Sequence, residues 1–433
     1  METLDQKNYK KIIYSLTWFS FFFCINLNPI EFGEFNLINK LRILAPLILL
    51  IFSILIFKKV NYKNLLEIDT IFFLFIFLLY FIFNIINVDN NLANLFWPVY
   101  MFLAVFFLTT ITNSDERRSL MKLSIYILFI AFIFYFSLAI IDMIKHKNMN
   151  FYGILGSNDS YSGIKNPPRS SGLARISLML FAYFLLYFLI KRSNHKNDYK
   201  LLLLICFFAT CTNLFQSRTV SFIFIGINLA LIIFYFKKII LNKKILLFSL
   251  LIPLIINSSY NYLKYKYSYT NFYKEDLKTS DSKMEIIGHI AKNSILRDQN
   301  PDSLNSYSSG RFENWKKAYD LIISKPLIGY GAQSDRIYFK QSIHNAYLYT
   351  LLSGSILAGI FLLLINLRTL YFFIKYIKIK ILKTDFISSL SLLLIIIITQ
   401  RSILETSLAI FSIDFLIFIL SYMILKNKTS KNI

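Results

Sequence analysis

With 433 residues, 56% of them apolar, 17% aromatic and only 16% charged, the chain is far from a soluble globular composition, in which about a quarter of residues are charged. It reads as an integral membrane protein. The formal charge of +23 would suit a nucleic-acid partner, but the basic residues alternate with apolar runs as topology signals do, and no nucleic acid is expected.

A helix needs about 20 mostly apolar residues to cross the hydrocarbon core. Runs of that kind fall near 12–28, 40–57, 68–86, 93–112, 121–144, 172–190, 200–216, 218–236, 244–259, 346–373, 385–400 and 403–425. They predict an all-α integral membrane protein of about 12 transmembrane helices with one large external loop containing short helices. The expected division is an N-terminal bundle of nine spans over 1–259, a loop over 260–345 and three C-terminal spans over 346–433. The first run has no small-residue cleavage site and continues into further spans, so no cleavable signal is expected.

Lysine and arginine sort these connections. The amino terminus and every second connection carry clusters such as Lys7, Lys10 and Lys11, then Lys58, Lys59 and Lys63, then Arg117, Arg118 and Lys122. The intervening short connections hold only Lys40, Arg42, Arg218 and Arg401. Both termini are therefore expected in the cytoplasm. The longer connections, 145–171 and 260–345, then fall on the external face by the parity of the spans.

Several cations are left on that face. Arg169 and Arg175 bracket the entry to the sixth span in Pro167-Pro-Arg-Ser-Ser-Gly-Leu-Ala-Arg175, and Arg218 lies in Gln216-Ser-Arg-Thr219, a connection with almost no loop. Arg311 and His344 come from the large loop, and Arg401 with Glu405 from Gln400-Arg-Ser-Ile-Leu-Glu405. Arginine at membrane depth is costly and usually faces a protein interior or a water-filled cavity. Several at one level imply a cavity suited to negative charge, and phosphate on a lipid carrier fits the planar guanidinium fork. There is no Asp-rich motif near this face, and Cys24, Cys206 and Cys211 lie in apolar runs without ligand spacing, so neither a metal nor another cofactor is expected. His344, beside a helix entry, is a candidate acceptor for the proton of an attacking sugar hydroxyl.

Plainer readings stand beside these. Arg175 at a helix end also reads as a side chain snorkelling to headgroups, Arg401 as the partner of Glu405 one turn away, and Arg218 as a contact to a backbone carbonyl. His146, His195 and His289 have no partner at motif spacing. Phe312, Trp315, Tyr319 and Ile322 recur at helical steps up to Pro326, which predicts a loop helix with Trp315 and Tyr319 on a face against the membrane. The tyrosines from Tyr260 to Tyr273 read as an interfacial belt.

The ordered set Gly310-Arg311, Trp315, Pro326-Leu-Ile-Gly-Tyr-Gly331, His344-Asn345, Ser353-Gly354 and Gly359 resembles the O-antigen ligase and O-antigen polymerase superfamily, as do Arg169-Ser-Ser-Gly172 and Ser217-Arg-Thr219 upstream. The resemblance implies a bacterial inner-membrane glycosyltransferase acting at the periplasmic face on a glycan carried by undecaprenyl pyrophosphate, without metal and with inversion. Carried onto this chain, it makes Arg218 and Arg311 the pyrophosphate ligands, with Arg169 or Arg175 assisting, and His344 the base; Arg401, Trp315 and Asn345 are further substrate-binding candidates. The implied partners are undecaprenyl-pyrophosphate-linked oligosaccharide, a glycan acceptor that is either a lipid-linked repeat unit or lipid A-core, the bilayer, and a chain-length regulator. The stretch Gly331-Ala-Gln-Ser-Asp-Arg336 and the RSSGL run favour the polymerase over the ligase. A lipid-linked glycan flippase is the reading from another class, but the sequence lacks the internal repeats common in transporters.

Overall fold

The computed structural model describes residues 4–26, 36–57, 60–87, 92–146, 170–192, 198–215, 217–235, 239, 243–272, 311–378 and 385–430. These form helices joined by turns: α1 (Leu4–Asn26), α2 (Asn36–Phe57), α3 (Ile68–Ile86), α4 (Phe96–Phe106), α5 (Ser114–His146), α6 (Ser170–Tyr187), α7 (Tyr199–Leu214), α8 (Arg218–Phe234) and α9 (Ile252–Phe272), then α10 (Arg311–Ser324), α11 (Ser334–Phe339), α12 (Ala346–Lys378), α13 (Phe386–Ser402) and α14 (Ile413–Ser430). The expectation of an all-α membrane protein holds at that level. Four stretches are long and apolar enough to cross a membrane, Ile68–Ile86, Ser114–Ile141, Gly172–Ile190 and Ala346–Tyr376, and shorter apolar helices accompany them.

The sequence explains which helices lie inside. α14 is buried on every side from Ile413 to Leu425, and its run IDFLIFILSYMIL is apolar almost all round, the pattern of a helix enclosed by others. α13 packs along it. Peripheral helices instead leave one apolar face uncovered: Phe222, Ile225, Leu229 and Ile233 of α8 recur at three- and four-residue steps and are all exposed. A continuous apolar exterior of this kind suits hydrocarbon rather than water.

Two element boundaries differ from the expected ones. The ninth apolar run was expected to end at 259, but its helix continues through the tyrosine-rich stretch to Phe272. The last span was expected from 403; instead α13 stops at Ser402 and α14 starts only at Ile413. The ten residues between are mostly buried without being helical. Ser412 Oγ donates to the Ser407 carbonyl (2.6 Å) and accepts from the Phe415 amide (3.2 Å), which lets this polar stretch fold back into the bundle.

A third departure lies inside α12. The helix is broken at Ser355 (φ 69°, ψ 179°), and the turn Pro326–Gly331 docks on the break. Tyr330 N donates to Leu352 O (2.8 Å), Gly331 N to Ser353 O (2.9 Å) and Ile356 N to Pro326 O (3.1 Å). Carbonyls and an amide freed from the helical ladder are thus satisfied by the loop. Glycine is needed at 329, because a Cβ there would lie 2.4 Å from the Ser353 carbonyl oxygen. Among the described residues of the loop, Ala318, Ile322, Tyr330 and Ile343 pack together with Leu352 of α12.

Candidate functional site at one end of the bundle

Contacts along α3 and α12 define two ends. Asp69 at the start of α3 pairs with Arg368 late in α12 (3.0 Å), whereas Asn87, just past α3, donates to Gly329 O (2.9 Å) close to the start of α12. The two helices therefore run antiparallel, and His344 and Arg368 mark opposite ends. Arg401 closes α13 at the His344 end, while Asp385 opens α13 at the other, where Arg118 grips it with two nitrogens (3.0 and 2.7 Å).

His344 sits in a constrained turn. Its φ of 54° is in the left-handed region, uncommon for a residue with a side chain. Neighbours hold the turn on several sides: Trp315 Nε1 donates to Ile343 O (2.7 Å), Asp335 accepts from Ile343 N (3.3 Å), and His344 N donates to Ser342 Oγ (3.2 Å). Burial lifts the Asp335 carboxyl above its ordinary value against the pull of Arg336 and of the amides it accepts from. Asn345 caps α12 by accepting from Leu348 N (2.9 Å) and donates to Ile403 O (3.0 Å), tying this turn to the connection between α13 and α14.

The imidazole Nδ1 lies 3.0 Å from Glu405 Oε2, and the other carboxylate oxygen, Oε1, lies 3.3 Å from Arg311 Nη2. Burial pushes the Glu405 carboxyl up, but the hydrogen bond with His344 and the positive charges of Arg401 and Arg311 outweigh it and hold the group below the ordinary carboxylate value. An ionised carboxylate facing Nδ1 accepts a hydrogen bond from the N–H at that nitrogen and leaves Nε2 as the reactive one. Among the described residues Nε2 has no hydrogen-bond partner, and the side chain is 30% exposed.

Behind this pair, Arg175 of α6 and Arg401 of α13 share one carboxylate, Asp414, at the start of α14. Arg401 makes a close ion pair with Asp414 Oδ2, and Arg175 Nε lies 3.4 Å from Oδ1, near enough for attraction but not aligned as a hydrogen bond. Asp414 is thus shared between two cations, and Glu405 between one cation and the imidazole.

Of the residues singled out in the sequence, Arg175, Arg311, Arg401, Trp315, His344 and Asn345 gather here. Arg218 opens α8, but its side chain and all of Arg169 lie outside the described residues, as do His195, His289 and the side chain of His146. One reading is corrected: Arg401 pairs with Asp414 and not with Glu405, because α13 ends at Ser402 and the chain turns before Glu405 can occupy the next turn of the same face. Trp315 spends its indole N–H on the loop's own framework, and Asn345 spends its side-chain amide on the cap of α12 and on Ile403 O. Tyr319 is exposed, as expected, on the outer face of α10, whereas Trp315 turns inward. Sequence reading missed Asp414 and the role of Glu405. Asp414 stands at the head of an apolar run, and Glu405 lies 61 residues from His344 and 94 from Arg311. A carboxylate at the mouth of an otherwise buried apolar helix was the available signal.

Among the described residues, the chain is a helical bundle with an apolar exterior and a cation-rich, partly open site at one end, an architecture consistent with a polytopic membrane protein. Residues 169–365 match the family model described as O-antigen ligase. This supports the O-antigen ligase and polymerase superfamily for the stretch that carries α6 to most of α12, including Arg175, Arg311 and His344. No curated protein and no solved structure matches the chain.

Proposed function

We propose that this protein transfers a glycan from undecaprenyl pyrophosphate to a sugar hydroxyl at the periplasmic face of the bacterial inner membrane, as an O-antigen polymerase. The observation that carries the reading is the meeting of Arg311, Arg175, Arg401 and His344, from four separate stretches of the chain, around two carboxylates.

Arg311 is a diphosphate ligand: it is partly exposed, and its bond to Glu405 is longer than the 2.7–2.9 Å usual for charged pairs. Arg218 is the second ligand, with Arg169 or Arg175 assisting. Arg401 adds fixed positive charge beside Glu405 without surrendering Asp414. His344 Nε2 removes the proton from the acceptor hydroxyl as its oxygen bonds to the anomeric carbon from the face opposite the diphosphate. The anomeric C–O bond breaks, and its electron pair leaves with the diphosphate, whose charge the arginines stabilise. This step inverts the anomeric centre and needs no metal. In this reading about twelve helices cross the bilayer, both termini are cytoplasmic, and a chain-length regulator is a further partner.

The surface polysaccharide of strains carrying His344→Ala or Arg218→Ala tests the assignment. If either inserted variant supports polymer of wild-type length and amount, the enzymatic reading fails. In a deletion strain, lipid A-core bearing a single repeat unit identifies the polymerase. Bare core with accumulating lipid-linked polymer identifies the ligase instead.

A further inference from the structure

Glu405 is left without a task in that reaction, yet it is the carboxylate that touches both halves of it. One oxygen meets Arg311 of α10 and the other meets His344. Arg401 of α13 adds its positive charge, and Arg175 of α6 also interacts with Glu405, although both are paired with Asp414 of α14; Asp335 of α11 adds a negative charge that acts on His344. The two contacts differ in quality. The 3.0 Å bond to Nδ1 is ordinary for a histidine held by a carboxylate, whereas the single 3.3 Å contact to Arg311 is loose for a guanidinium that can bind with two nitrogens. Arg311 and Glu405 are also partly exposed, so phosphate oxygens can reach the guanidinium without unfolding the turn.

Resting on the reading above, we propose that Glu405 is a positioning residue that couples donor binding to the base: it orients His344 through Nδ1 and gives up Arg311 when the donor's diphosphate arrives. Before the donor binds, the carboxylate charge is divided between Arg311 and the imidazole. Once Arg311 turns to the diphosphate, that charge faces His344 alone. The imidazole then holds a proton on Nε2 more strongly, so it becomes a better base only when a leaving group is in place. During transfer the acceptor's proton moves to Nε2, Nδ1 keeps its proton toward Glu405, and Glu405 remains a carboxylate throughout. An acceptor hydroxyl that arrives without a donor meets a weaker base, which limits idle deprotonation.

The test is a split between kcat and donor KM in the purified full-length protein, with undecaprenyl-pyrophosphate-linked oligosaccharide as donor. Glu405→Gln is nearly isosteric, and Glu405→Asp keeps the charge. Glu405→Gln is expected to lower kcat at least about tenfold while donor KM stays level or falls, because Arg311 loses its competitor. Glu405→Asp recovers part of kcat, and Arg311→Ala does the reverse by raising donor KM. The inference is overturned if Glu405→Gln raises donor KM with kcat unchanged, if it alters neither constant, or if Glu405→Asp is no better than Gln. A second readout does not depend on turnover: ¹⁵N spectra of the His344 ring should report a proton on Nδ1 in the unchanged protein and its loss or redistribution in Glu405→Gln, and identical tautomers in both contradict the proposal. Wild-type turnover by His344→Ala would instead remove the base itself and with it the reading on which this coupling rests.

Discussion

The two ends of the bundle handle charge in opposite ways. At the end expected to face the cytoplasm, ion pairs join separate elements, Lys10 with Glu116, Arg118 with Asp385, Arg368 with Asp69 and Lys426 with Glu67, and the buried Arg117 bonds to the Thr112 hydroxyl and to the carbonyls of Thr109 and Thr112. At the other end Arg311 and His344 divide Glu405, and Arg175 and Arg401 divide Asp414. Pairs of this kind hold helices together. With His344 neutral, Arg311 and Glu405 balance, whereas Arg175 and Arg401 against Asp414 leave one positive charge uncompensated behind the open turn, which favours an anion there. The difference lies in how a carboxylate is used: at one end it joins two helices, and at the other Asp414 answers two arginines.

The largest effect should come from the open end. His344→Ala is expected to lower transfer by about 10²–10⁴-fold, the usual contribution of a general base, with normal amounts of protein in the membrane. An unchanged rate in a reconstituted assay would leave the two ends functionally alike. Next comes Asp414→Asn. Removing one partner of a buried ion pair costs about 3–5 kcal/mol because a charge is left unpaired, so a clear drop in thermal stability is expected before any kinetic effect is resolved. Stability equal to that of the unchanged chain would mean that Arg175 and Arg401 do not depend on this carboxylate.

Arg311→Lys sharpens the comparison further. Charge is kept but the fork is lost, and losing one charge-assisted hydrogen bond is worth about 1.5–3 kcal/mol, so donor KM should rise roughly ten- to a hundredfold while folding is unaffected. Acidification gives a smaller effect. Glu405 titrates below its ordinary value of 4.5 in the folded chain, so its stabilisation is present above that value and is lost as pH falls through the lower folded one. The unchanged protein should therefore lose more stability than Glu405→Gln over that acidic interval, as followed by thermal melts at stepped pH. Lys317→Ala breaks only the exposed pair with Glu313 on α10 and is expected to change neither melting temperature nor turnover.

Much of this contrast was legible in the sequence, and the reasons for the gaps are specific. The apolar runs and the alternation of basic connections follow from what a bilayer requires of each segment, so the described helices overlap the expected runs, although the end of the ninth and the start of the last differ. Arg311, Arg175, Arg401 and His344 stood out because charged groups at helix mouths are conspicuous against apolar neighbours. Their carboxylate partners did not, since pairing across 61 or 94 residues depends on how helices pack and not on local pattern. The Arg401–Glu405 pairing failed for a local reason: it assumed a helix continuing through a polar stretch that instead turns inward at Ser402. The break at Ser355 was equally hidden, because the run from Ala346 reads as an uninterrupted apolar helix until the Pro326–Gly331 turn is seen to supply its missing hydrogen bonds.

The claim that an open, cation-rich site faces the periplasm and grips a diphosphate can be tested directly with His344→Cys in a chain whose buried Cys24, Cys206 and Cys211 are replaced by serine or alanine. A membrane-impermeant thiol reagent added outside intact spheroplasts should label position 344, and undecaprenyl pyrophosphate should slow that labelling. Labelling that appears only after the inner membrane is opened, or that proceeds at the same rate with the lipid diphosphate present, would contradict the account.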